Sequence, residues 1–135
     1  MKLIIAYIKQ ERFKEVKKEL YKAEIFRMSV SKARGCGEQG GFTEVLRSTT
    51  QEVNLLPKLR LEIAVNDDFV ESTIDAIIRG AKTDSIGDGK IFILPMEECV
   101  RIRTGERGPD SIGGWSRMVS EKKKEELRLR KPTST

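Results

Sequence analysis

The residues best suited to chemistry form a short cluster, Thr83-Asp-Ser-Ile-Gly-Asp-Gly-Lys90, which directly precedes the apolar stretch Ile91–Leu94. Glycines let backbone N–H groups approach an anion closely, and a lysine adds a point charge. The spacing differs from that of a Walker A motif, and no helix is expected to follow. The cluster therefore indicates an anion site, although a Gly-Asp-Gly turn before an edge strand is common by itself.

Two arginines near the end of the chain strengthen the case for an anion. Arg101 and Arg103 fall in a predicted last strand, roughly Val100–Arg103, where residues two apart point to the same face. Two guanidinium groups on one face repel each other unless an anion lies between them, and arginine suits phosphate well. The alternative is a pair of surface salt bridges with Glu97 or Glu106.

A long segment without periodicity, Gly35–Pro57, carries a second group of glycines at Gly35, Gly37, Gly40 and Gly41. Loops of this length inside a compact domain are uncommon and are often functional. Because the flanking segments are regular, we interpret this one as a functional loop. A phosphate site built from both glycine-rich segments and the two arginines is physically reasonable.

The charge of the chain is small and unevenly placed. The 135 residues include 26 Lys+Arg and 21 Asp+Glu, a net charge of +5. Residues 109–135 hold seven basic and four acidic residues, so this segment supplies much of the excess. The length favours one domain. A high isoelectric point that reflects a terminal segment does not predict nucleic-acid binding.

The absence of histidine excludes several kinds of site. Ser-His-Asp and Cys-His nucleophile activation, imidazole zinc sites and a histidine general base are all unavailable. The two cysteines, Cys36 and Cys99, are far apart in sequence and predict neither a metal site nor a disulfide framework. No apolar run reaches the roughly 20 residues of a membrane span. We expect a reducing, cytoplasmic location.

The elements that must position these residues follow from hydrophobic periodicity. The first three are a buried strand over Lys2–Ile8, an amphipathic helix over Glu11–Glu24 and an alternating strand over Phe26–Arg34. The same order returns with a strand over Leu59–Asn66, a helix with apolar residues from Val70 to Ile78, and a strand over Ile91–Leu94. Asp67 or Asp68 could cap that second helix, and Gly80 with the Gly87–Gly89 pair would end it.

Two successive strand–helix–strand units predict an α+β fold of the ferredoxin-like type, with the order βαββαβ. One four-stranded antiparallel sheet would then carry both helices on a single face. We predict that residues 1–108 form this domain and that residues 109–135 form a charged extension. Residues 121–131 of the extension could form a solvated helix, and a frayed terminus is the alternative.

Over residues 1–108 the chain resembles the nitrogen-regulatory PII signalling proteins. The order and spacing of the motifs and the length of the long loop agree without gaps. The matching stretches are Gly35-x-Gly37-x-Gln39-x-Gly41-x-Thr43-Glu44, Arg47, Leu56-Pro57-Lys58, Thr83-x-x-x-Gly87-Asp-Gly-Lys-Ile-Phe92 and Arg101-Ile-Arg-Thr-Gly105.

The resemblance implies a homotrimer that binds ATP or ADP, in competition, in each cleft between subunits. Positions that match the family's phosphate contacts are Gly87, Asp88, Gly89, Lys90, Arg101 and Arg103. Positions where the family contacts nucleotide from the other side are Ser29, Gly37, Glu38 and Ala64. Gln39 and Lys58 match positions that serve Mg²⁺ and 2-oxoglutarate, the glutamine oxygen holding the ion and the lysine ammonium pairing with a carboxylate of the oxoacid.

The resemblance also implies a mode of action. Residues 37–55 would be the T-loop, whose shape reports which ligands are bound and which docks onto regulatory targets. An ammonium transporter, whose channel an arginine corresponding to Arg47 plugs, is one such target, and a nitrogen-metabolism enzyme is another. Such a protein is a sensor and not an enzyme, and it reaches the membrane only through its transporter.

Three positions depart from the family pattern. Glu38 stands where many members carry arginine, which removes a charge facing the phosphates. Gly40 stands where lysine is frequent. Gln51 stands where uridylylated members carry their modified tyrosine, and because the loop contains no tyrosine that modification is not available.

Other readings of the residues stay open. One is a nucleotide-only sensor of the same family with a different target, and another is a slow ATPase on the same fold, for which the sequence offers no evident base. RNA binding would require aromatic residues on the central strands, and Phe92 is the one aromatic of the later strands.

Overall fold

The computed structural model describes residues 1–35, 55–113 and three helical residues at 125, 128 and 129. Within residues 1–35 and 55–113, four strands and three α-helices make up the fold. The strands are β1 (Lys2–Lys9), β2 (Ser29–Gly35), β3 (Leu56–Val65) and β4 (Gly89–Pro95). The helices are α1 (Phe13–Lys22), α2 (Val70–Ala81) and the single turn α3 (Pro109–Ile112).

The four strands form one sheet in the order β2-β3-β1-β4, and every neighbouring pair is antiparallel. Helix α1 connects β1 to β2 and helix α2 connects β3 to β4, so each strand–helix–strand unit brackets a strand of the other. This arrangement confirms the ferredoxin-like α+β fold that the sequence predicted. Strands β2 and β4 are the two edges of the sheet.

The core lies between the two helices and one face of the sheet. Because side chains alternate along a strand, every second residue of the two central strands points under the helices. These side chains are fully or almost fully buried: Ile4, Ala6, Ile8, Leu61, Ile63 and Val65. They pack with Val16 and Leu20 of α1 and with Ala76 and Ile77 of α2. The helical spacing of apolar residues in the sequence therefore identified Val16, Leu20 and Ile77 as buried, whereas Tyr21 and Ile78 at the same spacing are about half exposed.

The two helices cross where Gly80 of α2 meets the backbone of α1. A Cβ atom at Gly80 would lie 2.5 Å from the Cα atom of Val16 and 2.7 Å from its amide nitrogen. The Arg12 side chain crosses the same contact, its Nε donating a hydrogen bond to the Gly80 carbonyl oxygen at 2.9 Å. Only glycine allows this approach, since no real Cβ atom sits so close to a neighbouring backbone.

Gly80→Ala is expected to lower the free energy of unfolding by about 3 kcal/mol, because overpacked cores typically lose 1–3 kcal/mol and here the obstacle is main chain. Denaturant unfolding measures the change. Gly35→Ala is the matched control, since a Cβ atom at Gly35 would meet nothing within 4 Å. Equal stabilities of the two variants would contradict the close helix crossing.

The predicted strand over Val100–Arg103 is wrong. Val100 forms a single antiparallel bridge with Arg107, and between them the chain turns. The Gly105 amide donates to the Arg101 carbonyl at 2.8 Å, and the Arg101 amide donates to the Glu106 carbonyl at 2.9 Å. The alternation in the sequence is real, but the segment folds back on itself instead of joining the sheet.

The predicted ends of the second helix are also wrong. Neither Asp67 nor Asp68 caps α2, because a 3₁₀ turn over Asp67–Phe69 precedes the helix and its capping positions make no side-chain hydrogen bond. Asp67 instead accepts a hydrogen bond from the Met1 ammonium at 2.7 Å. Gly80 lies inside the helix, which ends one residue later at Ala81.

Among the described helices, none is long and apolar enough to cross a membrane.

Candidate anion-binding site

The segment between α2 and β4 has an unusual backbone. Asp84, Gly87 and Gly89 have positive φ angles of 61°, 96° and 112°. L-residues with a Cβ atom avoid this region, and aspartate is one of the few that tolerates it. The segment Thr83–Gly89, called here the glycine loop, thus places three residues at backbone angles that favour glycine.

Gly89 fixes the end of this loop against the central strand. It lies opposite Ile8 in the register between β1 and β4. A Cβ atom on Gly89 would lie 1.7 Å from the Tyr7 carbonyl oxygen, which no side chain can accommodate. The glycine thus has a packing reason in addition to the close approach to an anion that the sequence suggested.

A lysine from the end of β1 reaches the middle of the glycine loop. The Lys9 ammonium donates to the Ser85 hydroxyl at 2.8 Å and to the Thr83 hydroxyl at 3.2 Å. It also forms an ion pair with the Asp88 carboxylate at 3.3 Å. These four residues, called here the Lys9 cluster, join two parts of the chain that are more than 70 residues apart.

A second lysine holds the other side of the loop. Lys58 follows the start of β3, directly opposite Lys9 in the sheet register. Its ammonium donates to the Gly87 carbonyl at 2.6 Å. Burial and the neighbouring Lys9 charge lower the pKa of Lys58 below its usual value. Two cationic side chains on adjacent strands thus converge beside the glycines that the sequence singled out.

The Asp88 carboxylate is hydrogen-bonded and ion-paired within the chain. It accepts hydrogen bonds from the Thr83 hydroxyl and, at 2.8 Å, from the Thr83 amide, in addition to its ion pair with Lys9. These bonds, the Thr83 hydroxyl first, lower the pKa of Asp88 well below its ordinary value. Asp88 therefore shapes the loop as an anion, and the loop's attractive surface for phosphate is left to amides and lysines.

Asp88→Asn is expected to cost more stability at neutral pH than in acid. A carboxylate whose folded pKa is depressed stabilises the fold above its unfolded pKa of about 4, and this contribution is lost as the pH falls toward the folded pKa. Unfolding in denaturant at pH 7 and at pH 3 measures the difference from wild type, which should shrink at pH 3. The matched control is Asp84→Asn at an exposed ion pair with Lys82. A difference independent of pH would contradict this role for Asp88.

The two arginines are placed differently from each other. Arg101 forms an ion pair with Glu106 at 3.3 Å, which is one of the two salt bridges considered for it from the sequence. Its guanidinium also donates to the carbonyls of Asp110 and Ser111 at 3.5 and 3.4 Å. Arg103 lies in the turn and is exposed. The same-face argument for this pair therefore fails together with the predicted strand.

A second part of the candidate site lies at the other end of the sheet. Ser29 begins β2 opposite Glu62, and Ala64 stands one residue before the end of β3. Ala64 lines a cavity of about 130 Å³, together with Arg27 and Gly113. Asn66 donates to the Pro109 carbonyl at 3.1 Å, which holds α3 at this end of the sheet. Arg101 lies there too, because its guanidinium donates to the Ser111 carbonyl of α3.

The structure divides the candidate residues into two groups on one chain. Lys58 and the glycine loop lie where β3 begins, whereas Ala64, Ser29 and Arg101 lie near where it ends. Ala64 lies six residues after Lys58 in an extended strand, which is roughly 20 Å at 3.3 Å per residue. One chain therefore carries two separate groups of candidate residues, called here the two half-sites. Gly37, Glu38, Gln39 and Arg47 lie outside the described residues.

Sequence reasoning missed Lys9, Arg27 and Asn66. Lys9 has no motif of its own. The pairing of β1 with β3 places it opposite Lys58, and its hydrogen bonds show that it contacts the glycine loop. Arg27 donates to the Ile112 carbonyl at 3.3 Å and Asn66 to that of Pro109, contacts with a segment more than 40 residues away. A register of the sheet derived from alternation would have been the one usable signal for Lys9.

The chain is similar to known proteins over the whole of the described fold. A family model described as nitrogen regulatory protein P-II matches residues 1–106. The nitrogen regulatory protein GlnK1 of Methanosarcina mazei is 50% identical over 114 residues, which cover 83% of this chain and 97% of that protein. The nitrogen regulatory proteins P-II of Cereibacter sphaeroides and Azospirillum brasilense are 46% and 47% identical over 112 residues, covering 83% of this chain and 100% of each relative. This chain belongs to the nitrogen regulatory protein P-II family.

Proposed function

We propose that this protein is a signalling component of nitrogen regulation that senses ATP and ADP, together with 2-oxoglutarate. The family membership supports the regulatory role, since the relatives carry that function in their names. The ligands are proposed from the chemistry of the site and from the family resemblance of the residues there. The protein acts by binding and not by catalysis.

The observation that carries this proposal is the convergence of Lys9 and Lys58 on the glycine loop. The loop is followed directly by Lys90 and offers glycine amides with little steric hindrance. The charges of the two ammonium groups make the surroundings of these amides electropositive, which favours the binding of phosphate oxygens by the amides. Lys58 additionally lies where its ammonium could donate to a carboxylate of a dicarboxylate in place of the Gly87 carbonyl. A hydrogen bond to a charged acceptor is stronger than one to a carbonyl.

The split of the candidate residues supports an assembly in which copies of the chain complete each other's sites. With roughly 20 Å between the half-sites, a nucleotide that uses both sets must lie between two subunits. The sheet also has a face opposite the helices. On that face the rings of Tyr7 and Phe92 make an edge-on contact with their centroids 6.2 Å apart, and Phe92 is about half exposed. A second copy would cover such a face. We propose the homotrimer on these grounds.

The proposed metal is Mg²⁺, bound together with ATP. Among the described residues, no group of three or more His, Cys, Asp or Glu side chains could hold a metal ion. Mg²⁺ is commonly held by substrate phosphates with few protein ligands, which is the mode of binding proposed here. Gln39 is the proposed protein ligand, and the ion would join the phosphates to the oxoacid.

The proposed output is the T-loop, residues 37–55, with Arg47 at its tip. Ligands that favour different loop conformations shift their populations only by the difference of their affinities for the two states. The proposed targets are an ammonium transporter or an enzyme of nitrogen metabolism. The protein would act in the cytoplasm and meet a membrane only through such a transporter.

Calorimetric titration tests the proposal directly. ATP and ADP should each bind and should displace each other, and 2-oxoglutarate should bind only when Mg²⁺ and ATP are present. Absence of binding by both nucleotides would overturn the proposal. Binding of nucleotide without any response to 2-oxoglutarate would reduce it to a nucleotide sensor, and ATP turnover at about 1 s⁻¹ or faster would favour the ATPase alternative.

A further inference from the structure

We infer that Lys9 is a positioning residue of the nucleotide site, whose ammonium holds the glycine loop in the conformation that presents its amides and Lys90 to phosphate. This inference rests on the proposed nucleotide-sensing function, and it adds a residue to which neither the motifs nor the resemblance assigned a role. Its basis is the Lys9 cluster of Lys9, Thr83, Ser85 and Asp88.

The hydrogens of the cluster can be assigned from its contacts. The Thr83 hydroxyl has one proton, which it donates to Asp88. The Ser85 hydroxyl, 2.7 Å from that of Thr83, must therefore donate to Thr83 and accept from Lys9. The result is a closed ring of hydrogen bonds in which Lys9 provides the positive charge and Asp88 the negative one.

The ring holds the loop on both sides of its strained residue. Thr83 and Ser85 flank Asp84, whose φ angle of 61° is one that non-glycine residues disfavour. Asp88 follows Gly87 and precedes Gly89, the two glycines of the loop with positive φ. A single ammonium group thus ties together the beginning and the end of the loop and anchors both to the last residue of β1.

The geometry favours positioning over direct contact with the ligand. An ammonium group has three protons, and Lys9 has three oxygen partners at 2.8, 3.2 and 3.3 Å. Its side chain is only 13% exposed. While the ring is intact, Lys9 has no proton left to donate to a phosphate.

Lys9 and Lys58 have different roles at the glycine loop. Lys58 holds the loop from the opposite side through the Gly87 carbonyl. If a dicarboxylate engages Lys58, as the proposed function requires, that bond must be exchanged or shared. Lys9 then remains as the tether that keeps the phosphate-binding conformation while Lys58 changes partner.

A double-mutant cycle tests the inference on the full chain. The variants are Lys9→Met, Lys9→Arg, Ser85→Ala and the combination of Lys9→Met with Ser85→Ala. Calorimetry gives the affinity for ATP and for ADP, and hydrogen exchange of the unliganded protein reports on the Thr83 amide, which donates to Asp88 at 2.8 Å. Lys22→Met is the matched control, at an exposed ion pair with Glu19.

We expect Lys9→Met to weaken ATP and ADP binding about tenfold, or 1.4 kcal/mol. Lys9→Arg should recover part of this loss. Ser85→Ala should weaken binding in the same direction, and the double variant should be no worse than Lys9→Met alone, because both substitutions break one ring. Exchange at Thr83 should accelerate, while exchange in β1 and β3 and the affinity of Lys22→Met stay at wild-type values.

Two results would overturn the inference while leaving the proposed function intact. One is nucleotide affinity unchanged in Lys9→Met. The other is a large loss in Lys9→Met with none in Ser85→Ala and unchanged exchange at Thr83, which would make Lys9 a direct ligand. If the wild-type protein itself binds no nucleotide, the proposed function fails and the nucleotide role of Lys9 fails with it.

Discussion

Lys58→Ala is expected to abolish 2-oxoglutarate binding, with a loss of at least about 100-fold in affinity. Truncating one partner of a buried, hydrogen-bonded charge pair typically costs 2–5 kcal/mol, and this ammonium is the proposed partner of an oxoacid carboxylate. ADP affinity should change little, since the glycine loop keeps its tether to Lys9. Calorimetry with 2-oxoglutarate in the presence of Mg²⁺ and ATP, and separately with ADP, measures both effects.

A second variant separates the two roles of this lysine. Lys58→Gln keeps an N–H donor that can serve the Gly87 carbonyl but removes the charge. It should lose the oxoacid as Lys58→Ala does, while retaining the loop geometry. Lys22→Ala is the control for the loss of a surface ammonium, since that side chain is 61% exposed. An unchanged affinity for the oxoacid in Lys58→Ala would remove Lys58 from the site.

The pH dependence of oxoacid binding gives an independent check on Lys58. Burial and the Lys9 charge lower its pKa, so the neutral amine appears at a lower pH than in an ordinary lysine. The carboxylates of the ligand are ionised throughout this range. Affinity for 2-oxoglutarate should therefore fall as the pH rises through the lowered pKa of Lys58. A flat profile into the alkaline range would argue that the ammonium does not pair with the ligand.

The sheet and its helices could be predicted because each buried face has a local signature. The alternation from Leu59 to Val65 and the helical spacing of Val16 and Leu20 correspond to side chains that the structure buries. The strand predicted over Phe26–Arg34 begins only at Ser29, since an edge strand is weakly specified by burial and Val30 is 42% exposed. Local pattern thus locates an element better than it locates its ends.

The error at Val100–Arg103 has a different cause. Alternation predicts which face a strand would bury, but a strand also needs a neighbour with free hydrogen-bonding groups. The Arg101 amide finds its acceptor in Glu106, only five residues away. A tight local turn therefore satisfies the backbone groups that a place in the sheet would have used, and no periodicity in the sequence distinguishes the two outcomes.

The candidate site was predictable as a list of residues but not as an arrangement. The glycines and Lys90 are contiguous in sequence, so their cluster is visible without a structure. Lys9 becomes part of it only through the register that places it opposite Lys58. The roughly 20 Å between Lys58 and Ala64 is equally invisible in the sequence, because it follows from the straightness of β3. Each of these facts depends on pairing between distant segments.

Gly89→Ala is expected to destabilise the protein by about 3 kcal/mol or more and to abolish nucleotide binding. The new Cβ atom would lie 1.7 Å from the Tyr7 carbonyl oxygen, and the φ angle of 112° is one that alanine rarely adopts. A strained backbone angle costs about 1–3 kcal/mol, and the steric overlap adds to it. To relieve the overlap, β4 must move away from β1, and Lys90 and the glycine loop move with it. Thermal unfolding and ATP calorimetry measure the two effects.

Gly108→Ala separates strain from steric overlap in this experiment. Gly108 has a comparable φ angle of 80°, but a Cβ atom there would meet nothing within 4 Å. Its cost should be that of the backbone angle alone, about 1–3 kcal/mol. The contradicting result is a Gly89→Ala variant that loses no more stability than Gly108→Ala and still binds ATP. It would mean that the loop lies farther from Tyr7 than in the structure. The glycine would then serve only to let an anion approach the backbone, which was the one role that the sequence suggested for it.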